Sequence, residues 1–163
     1  MMRRLRSAGL AVMMCAIAAC GFHLRGSYEL PQHLSPIFID KDSMSLPLYK
    51  QLRSSLAASG VELADDAATA ASVFEITREQ KARNVIAVDS LGRAREYRLS
   101  CRLAFSLRAS GETGIENSNI HLPPNLLFDP EAVLGVDREL DVIYKDMIRD
   151  STGQMLLRLQ AMK

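Results

Sequence analysis

The sequence holds three histidines, His23, His33 and His121, and none stands at metal-ligand spacing from a cysteine or a second histidine. Zinc sites and zinc-dependent hydrolysis therefore lack their parts. The nine glycines are scattered, so there is neither a phosphate-cradling loop nor a strained serine elbow. Glu112, Glu116, Asp129 and Glu131 are the pool for a carboxylate pair, but acids in loops and at helix starts ordinarily serve solvation and capping. The expectation is a protein without enzymatic activity, metal or cofactor. A surplus of one charge is missing as well: twenty basic residues face nineteen acidic ones, which gives no footprint for nucleic acid. An apolar run long enough to span a bilayer, about 20 residues, is also absent, because residues 8–19 give way to His23 and Arg25.

What is present begins with Arg3, Arg4 and Arg6 ahead of that apolar stretch, the charge order of an export signal. The stretch ends in Ile17-Ala18-Ala19-Cys20, which resembles the bacterial lipobox. That resemblance implies a diacylglyceryl thioether on Cys20, cleavage just before it, and acylation of the new amino terminus by chains of the palmitate class. At roughly 0.8 kcal/mol per buried methylene, several such chains make a near-permanent anchor. The other reading is an ordinary cysteine beyond a plain signal cleavage site. Gly21 stands where an inner-membrane retention signal would place Asp, so the expected destination is the periplasmic face of the outer membrane of a Gram-negative cell.

Cleavage removes Cys15 and lipid consumes Cys20, leaving Cys101 alone, so no internal disulfide forms. It also removes three arginines, leaving seventeen basic residues against nineteen acidic, about −2. The expected organisation is a signal peptide over residues 1–19, a lipid-anchored lead-in over 20–35, and a single α/β domain over 36–163. Taking 19 residues from 163 leaves 144, a length suited to one core.

Along the mature chain, Ile37-Phe38-Ile39 reads as a short buried strand that Pro36 can only begin. Leu48, Tyr49, Leu52 and Leu56 recur at helical spacing, predicting an amphipathic helix over 46–59 that Gly60 stops. Residues 73–80 and 84–89 read as one long or bulged strand, and Ser90 and Gly92 supply a turn. Tyr97, Leu99, Cys101, Leu103, Phe105 and Leu107 then alternate with polar and basic residues, the period of a half-buried strand with one apolar and one basic face. Cys101 falls in the apolar row and reads as core. A weaker strand over 114–122 follows.

Asp129-Pro130-Glu131 has the composition of a capped helix start. Val133, Val136, Leu140, Ile143, Tyr144, Met147, Ser151, Met155 and Leu159 trace one stripe along that helix. Gly153 is its weak point, and its methionines read as core filling. The predicted fold is α+β, with two helices on one face of a four-stranded, mostly antiparallel sheet in the order β-α-β-β-β-α.

Cys20-Gly21-Phe22-His23-Leu24-Arg25-Gly26 resembles the opening signature of the lipopolysaccharide-assembly lipoprotein family, LptE, also called RlpB. Gly60-Val61-Glu62-Leu63 resembles a further family segment, as do Gly92 with Glu96-Tyr97 and Phe128-Asp129-Pro130 with Glu139, Asp150 and residues 156–159, all in the family's order. The resemblance implies two helices on a four-stranded sheet. It also implies a non-catalytic plug, in a 1:1 complex, within the lumen of the outer-membrane β-barrel LptD, where it assists barrel assembly and lipopolysaccharide delivery to the outer leaflet.

A polar lumen suits the basic strand face, making Arg98, Arg102 and Arg108 candidate barrel contacts; the other reading is a solvated face that contacts nothing in particular. The family attributes lipopolysaccharide binding to basic loop residues that pair with lipid A phosphates. In this sequence Ser90, Val136 and Asn125 occupy positions that are basic in that pattern, and the nearby Arg93, Arg95 and Arg138 are the candidates. An alternative of another class is an auxiliary lipoprotein of a phospholipid-trafficking ABC transporter.

Overall fold

The computed structural model describes residues 28–109, 114–123, 125–126 and 136–162. Its elements are β1 (Ile37–Ile39), α1 (Leu46–Ala58), β2 (Leu63–Ala64), β3 (Ser72–Val88), β4 (Ala94–Ala109), β5 (Ile115–His121), β6 (Asn125–Leu126) and α2 (Val136–Gln160), in chain order. They form one six-stranded sheet ordered β2-β1-β3-β4-β5, with β6 pairing β4. The α+β class is as expected. The strand count differs from four because β2 and β6 are two-residue strands, too short to show a period of two.

The sheet is mixed. β1 runs parallel to both β2 and β3, while the β3–β4, β4–β5 and β4–β6 pairs are antiparallel. The parallel part follows from β1-α1-β2, since a parallel neighbour requires a crossover and the helix supplies it. α1 buries Leu48, Leu52 and Leu56, the row its spacing predicts. It ends where Gly60 takes φ +76, with Gly60 N–H bonded to Ala57 O and Val61 N–H to Leu56 O. A left-handed residue here satisfies the last carbonyls and costs glycine little.

β3 and β4 make a long hairpin closed by Gly92 at φ +79. Directly opposed residues share a sheet face, so the register assigns the sides. Leu99, Cys101, Leu103, Phe105 and Leu107 of β4 form the buried row. Phe74 stacks on Phe105 with ring centroids 5.2 Å apart, and Ile37, Ile39, Ile76 and Ile120 extend the same layer. Both helices close over this face, α2 through Leu140, Met147, Ile148, Met155, Leu156 and Leu159. The methionines of the stripe fill core space, and Ile143 and Tyr144 pack at its margin. The cap expected at Asp129-Pro130-Glu131 lies outside the described residues.

The core also takes in Leu30 and Leu34, upstream of the expected domain start at residue 36. The buried Ser72 hydroxyl donates to Leu34 O at 2.5 Å, which ties this lead-in to the beginning of β3.

Candidate functional site

Two irregularities in β3 decide which charges face where. The register runs evenly to Ile76↔Phe105 and then skips to Arg78↔Ala104. One extra residue reverses the alternation. Phe74 and Ile76 face the core, and continued alternation would bury Arg78 beside them. The skip instead turns Arg78 to the outer face and brings Glu79, Lys81, Arg83 and Val85 to the helix side, opposite Leu103, Cys101, Leu99 and Tyr97. Lys81 there pairs with Glu79 at 3.2 Å and lies 5.9 Å from the centre of the Tyr144 ring of α2. Arg83 lies 4.8 Å from the centre of the Tyr97 ring.

The outer face of the sheet carries Arg98, Ser100, Arg102, Ala104, Ser106 and Arg108 of β4, opposite Asn84, Ala82, Gln80, Arg78, Glu75 and Val73 of β3. No described helix covers it. Arg98, Arg102 and Arg108 are exposed and share this face, as the alternation predicts. Arg108 is held by Glu75 at 3.2 Å, and Ser106 donates to the same carboxylate at 2.8 Å. Arg98 and Arg102 have no ion pair among the described residues. Arg78 is the member that sequence reading misses, because only the register skip brings it to this side.

Near Arg108, a shallow concavity of about 680 Å³ is lined by Glu75, Thr77, Ser106, Ile115 and Asn117. Beside it β5 carries a further irregularity, with one extra residue between Ser118 and Ile115 opposite Phe105 and Leu107, and Asn117 there adopts φ +46. Asn tolerates that conformation better than most L-residues. Thr77 donates to the Asn117 side chain at 3.1 Å across β4.

The hairpin tip is a separate surface. Asp89 organises it, its carboxylate accepting the N–H groups of Leu91 and Arg93 at 2.9 and 2.8 Å and the Arg93 guanidinium at 2.6 Å. The Arg93 backbone N–H above all, then its side chain, hold the Asp89 carboxyl below its usual range despite some desolvation, and the charge of Arg95 adds to this. Arg93 and Arg95 are thus both drawn to one acid at the turn. Val85, Ile86, Val88 and Leu91 are exposed around them, Leu91 by 75%.

Sequence reading names the tip's cations but misses this apolar company, which alternation alone would assign to a core. The backbone of Arg138 belongs to the first turn of α2; its side chain and Cys20 lie outside the described residues. Among those residues no group of His, Cys, Asp and Glu is placed to hold a metal, and no helix is long and apolar enough to cross a membrane.

The profile of a family described as lipopolysaccharide-assembly, LptE, matches residues 33–159. The chain belongs to the LptE family. Among LptE relatives, the LPS-assembly lipoprotein of Pectobacterium atrosepticum is 29% identical over 152 residues, covering 92% of this chain and 80% of the relative. That of Photorhabdus laumondii is 27% identical over 152 residues, with 92% and 80% covered.

The fold has solved counterparts. Lipoprotein B of Nitrosomonas europaea superposes with a TM-score of 0.66 at 22% identity, covering 86% of this chain and 91% of that one. The rare lipoprotein B of Shewanella oneidensis gives 0.62 at 20% identity, covering 76% and 92%. At those identities the structural likeness speaks for the LptE fold, and the family profile speaks for membership.

Proposed function

We propose that the mature protein is a non-catalytic outer-membrane lipoprotein, anchored through Cys20 on the periplasmic side. In this reading it seats inside the lumen of an LptD-type β-barrel, assists the barrel's assembly and takes part in lipopolysaccharide transport. The observation that carries the proposal is the polar face of β3 and β4 that no described helix covers. A water-exposed sheet face is common, but this one gathers Arg78, Arg98 and Arg102 with no acidic partner among the described residues, and a barrel lumen is polar. Complementary charge in such a lumen would set orientation and register. Family membership favours this partner over a phospholipid-trafficking ABC transporter.

Charge reversal of Arg98, Arg102 and Arg108 to Glu tests the contact directly. Recovery of the barrel from detergent-solubilised outer membrane is expected to fall about tenfold or more while thermal stability holds, since exposed positions contribute little to it. Undiminished recovery of the barrel would sink the assignment of these arginines. Pull-downs that never contain a barrel would sink the lumen reading itself. Mass spectrometry of the same material reports the acyl groups on Cys20.

Lipopolysaccharide contact is assigned in the same proposal to Arg93, Arg95 and Arg138. The Asp89 ion pair at the tip makes Arg93 a shared cation, so its phosphate contacts compete with an internal acid. Reversal of all three to Glu, with lipopolysaccharide binding unchanged, would remove that assignment.

A further inference from the structure

Among the described residues, β3 has a long edge that no neighbouring strand uses. β1 borders β3 only along residues 72–74. The cover continues briefly, because Ile76 N–H donates to the Ser43 hydroxyl and the Glu79 carboxylate accepts from Ser45. Past Glu79 the side of β3 turned away from β4 has no backbone partner among the described residues. Between the skips at Ile76/Arg78 and Val85/Ala87, β3 pairs residue for residue with β4. Residues 80–85 are therefore a regular ladder on one side and an open edge on the other. That length is about the 5–6 residues of an ordinary strand, and such an edge offers its N–H and C=O groups as a template for another strand.

The charges on this edge narrow its occupant. Lys81 and Arg83 stand on the helix side, and Arg78 precedes them on the other face. Lys81 shares the Glu79 carboxylate with Ser45, whereas Arg83 and Arg78 have no ion pair among the described residues. A second copy of this chain added antiparallel would bring lysine and arginine against their own counterparts, and like charges placed opposite one another destabilise a sheet. The bulges at each end of the window add to this guard against self-pairing. The same cations favour a strand carrying carboxylates at matching positions, so repulsion of one partner and attraction of another come from the same residues.

We propose that the open edge of β3 at residues 80–85 is a strand-addition site for an extended acidic segment of a partner protein. Backbone hydrogen bonds would supply the affinity, and Lys81, Arg83 and Arg78 the selectivity. The proposal does not depend on the partner being a barrel.

Amide hydrogen exchange on the full mature chain tests it, with two synthetic peptides as probes, one alternating Glu with Val and Thr, the other with Lys in place of Glu. The acidic peptide is expected to slow exchange of the edge-facing amides within residues 80–85 by roughly tenfold or more, and the basic peptide to leave them unchanged. A Lys81→Glu/Arg83→Glu variant, with exchange at Phe105 and Leu107 confirming its fold, should exchange these preferences. Lys81→Gln/Arg83→Gln should weaken the acidic peptide without attracting the basic one. No slowing by either peptide on the unmodified chain would overturn the proposal, and equal slowing by both would remove its charge selectivity. Slowing by phosphatidylglycerol vesicles in place of peptide would reassign the cations to a lipid surface. Slowing that grows with protein concentration alone would assign the edge to a second copy.

Discussion

Glu79 accepts both the backbone N–H and the hydroxyl of Ser45, at 2.8 and 2.6 Å on its two carboxylate oxygens. Ser45 is the residue before the first turn of α1, and its own side chain makes no capping bond. A carboxylate supplied from a strand thus stands at the positive end of the helix and joins α1 to the sheet just past the first bulge. Burial alone would raise the Glu79 carboxyl, but the bonds from Ser45, aided by Lys81, outweigh it and hold the group below its usual value. Because the folded value is depressed, the stabilisation is full above the ordinary 4.5 and is lost as pH falls through the folded value. Glu79→Gln is expected to cost about 1 to 2 kcal/mol near neutrality, with the deficit shrinking in acid. Urea midpoints of both proteins across the acid range check this, and a deficit independent of pH would refute it.

Gly114 is required by space. A Cβ there would lie 2.1 Å from the carbonyl oxygen of Leu107, and that oxygen belongs to β4, whose position is held by strands on both sides. Gly114→Ala must push the start of β5 away from β4, at a cost of about 1 to 3 kcal/mol. An unchanged urea midpoint would show that the two segments separate freely.

Gly153, in the interior of α2, has a different reason. Among the described residues an added Cβ would meet only the Tyr28 hydroxyl, at 2.9 Å, the far end of a side chain that can swing aside. Gly153→Ala should be nearly neutral, because a gain of about 1 kcal/mol in helix propensity is offset by displacing Tyr28. In a Tyr28→Phe background the gain should emerge, and a double-mutant cycle measures the difference. Simple additivity would contradict the contact.

Cys101 sits in the buried row, and desolvation raises its thiol, with Lys81 opposing and Glu79 adding a little. Labelling by a soluble disulfide reagent should be slow in the native protein and rise with urea in step with unfolding. Labelling of the folded protein at the rate of a free thiol would disprove this.

Much of the architecture was legible from the chain alone. The period of two in β4 selected Leu99 through Leu107 as the inner row, and the helical spacing of Leu48, Leu52 and Leu56 selected the buried stripe of α1. Gly60 and Gly92 marked turns because positive φ favours a residue without Cβ. The outward row of Arg98, Arg102 and Arg108 came with the same alternation. β2 was not legible, since its pairing comes from β1 placed alongside it by the α1 crossover, and two residues carry no period.

Spacing by itself determined the class of fold and the two core stripes, since each rests on periods of 2 and 3.6 residues. Tertiary structure alone decided the facing of residues 78–85. A single inserted residue in a ladder reverses every side chain after it, and its location depends on where β4 and the Ser43–Ser45 segment grip β3. That reversal put Arg78 outside and aligned Glu79 with Ser45.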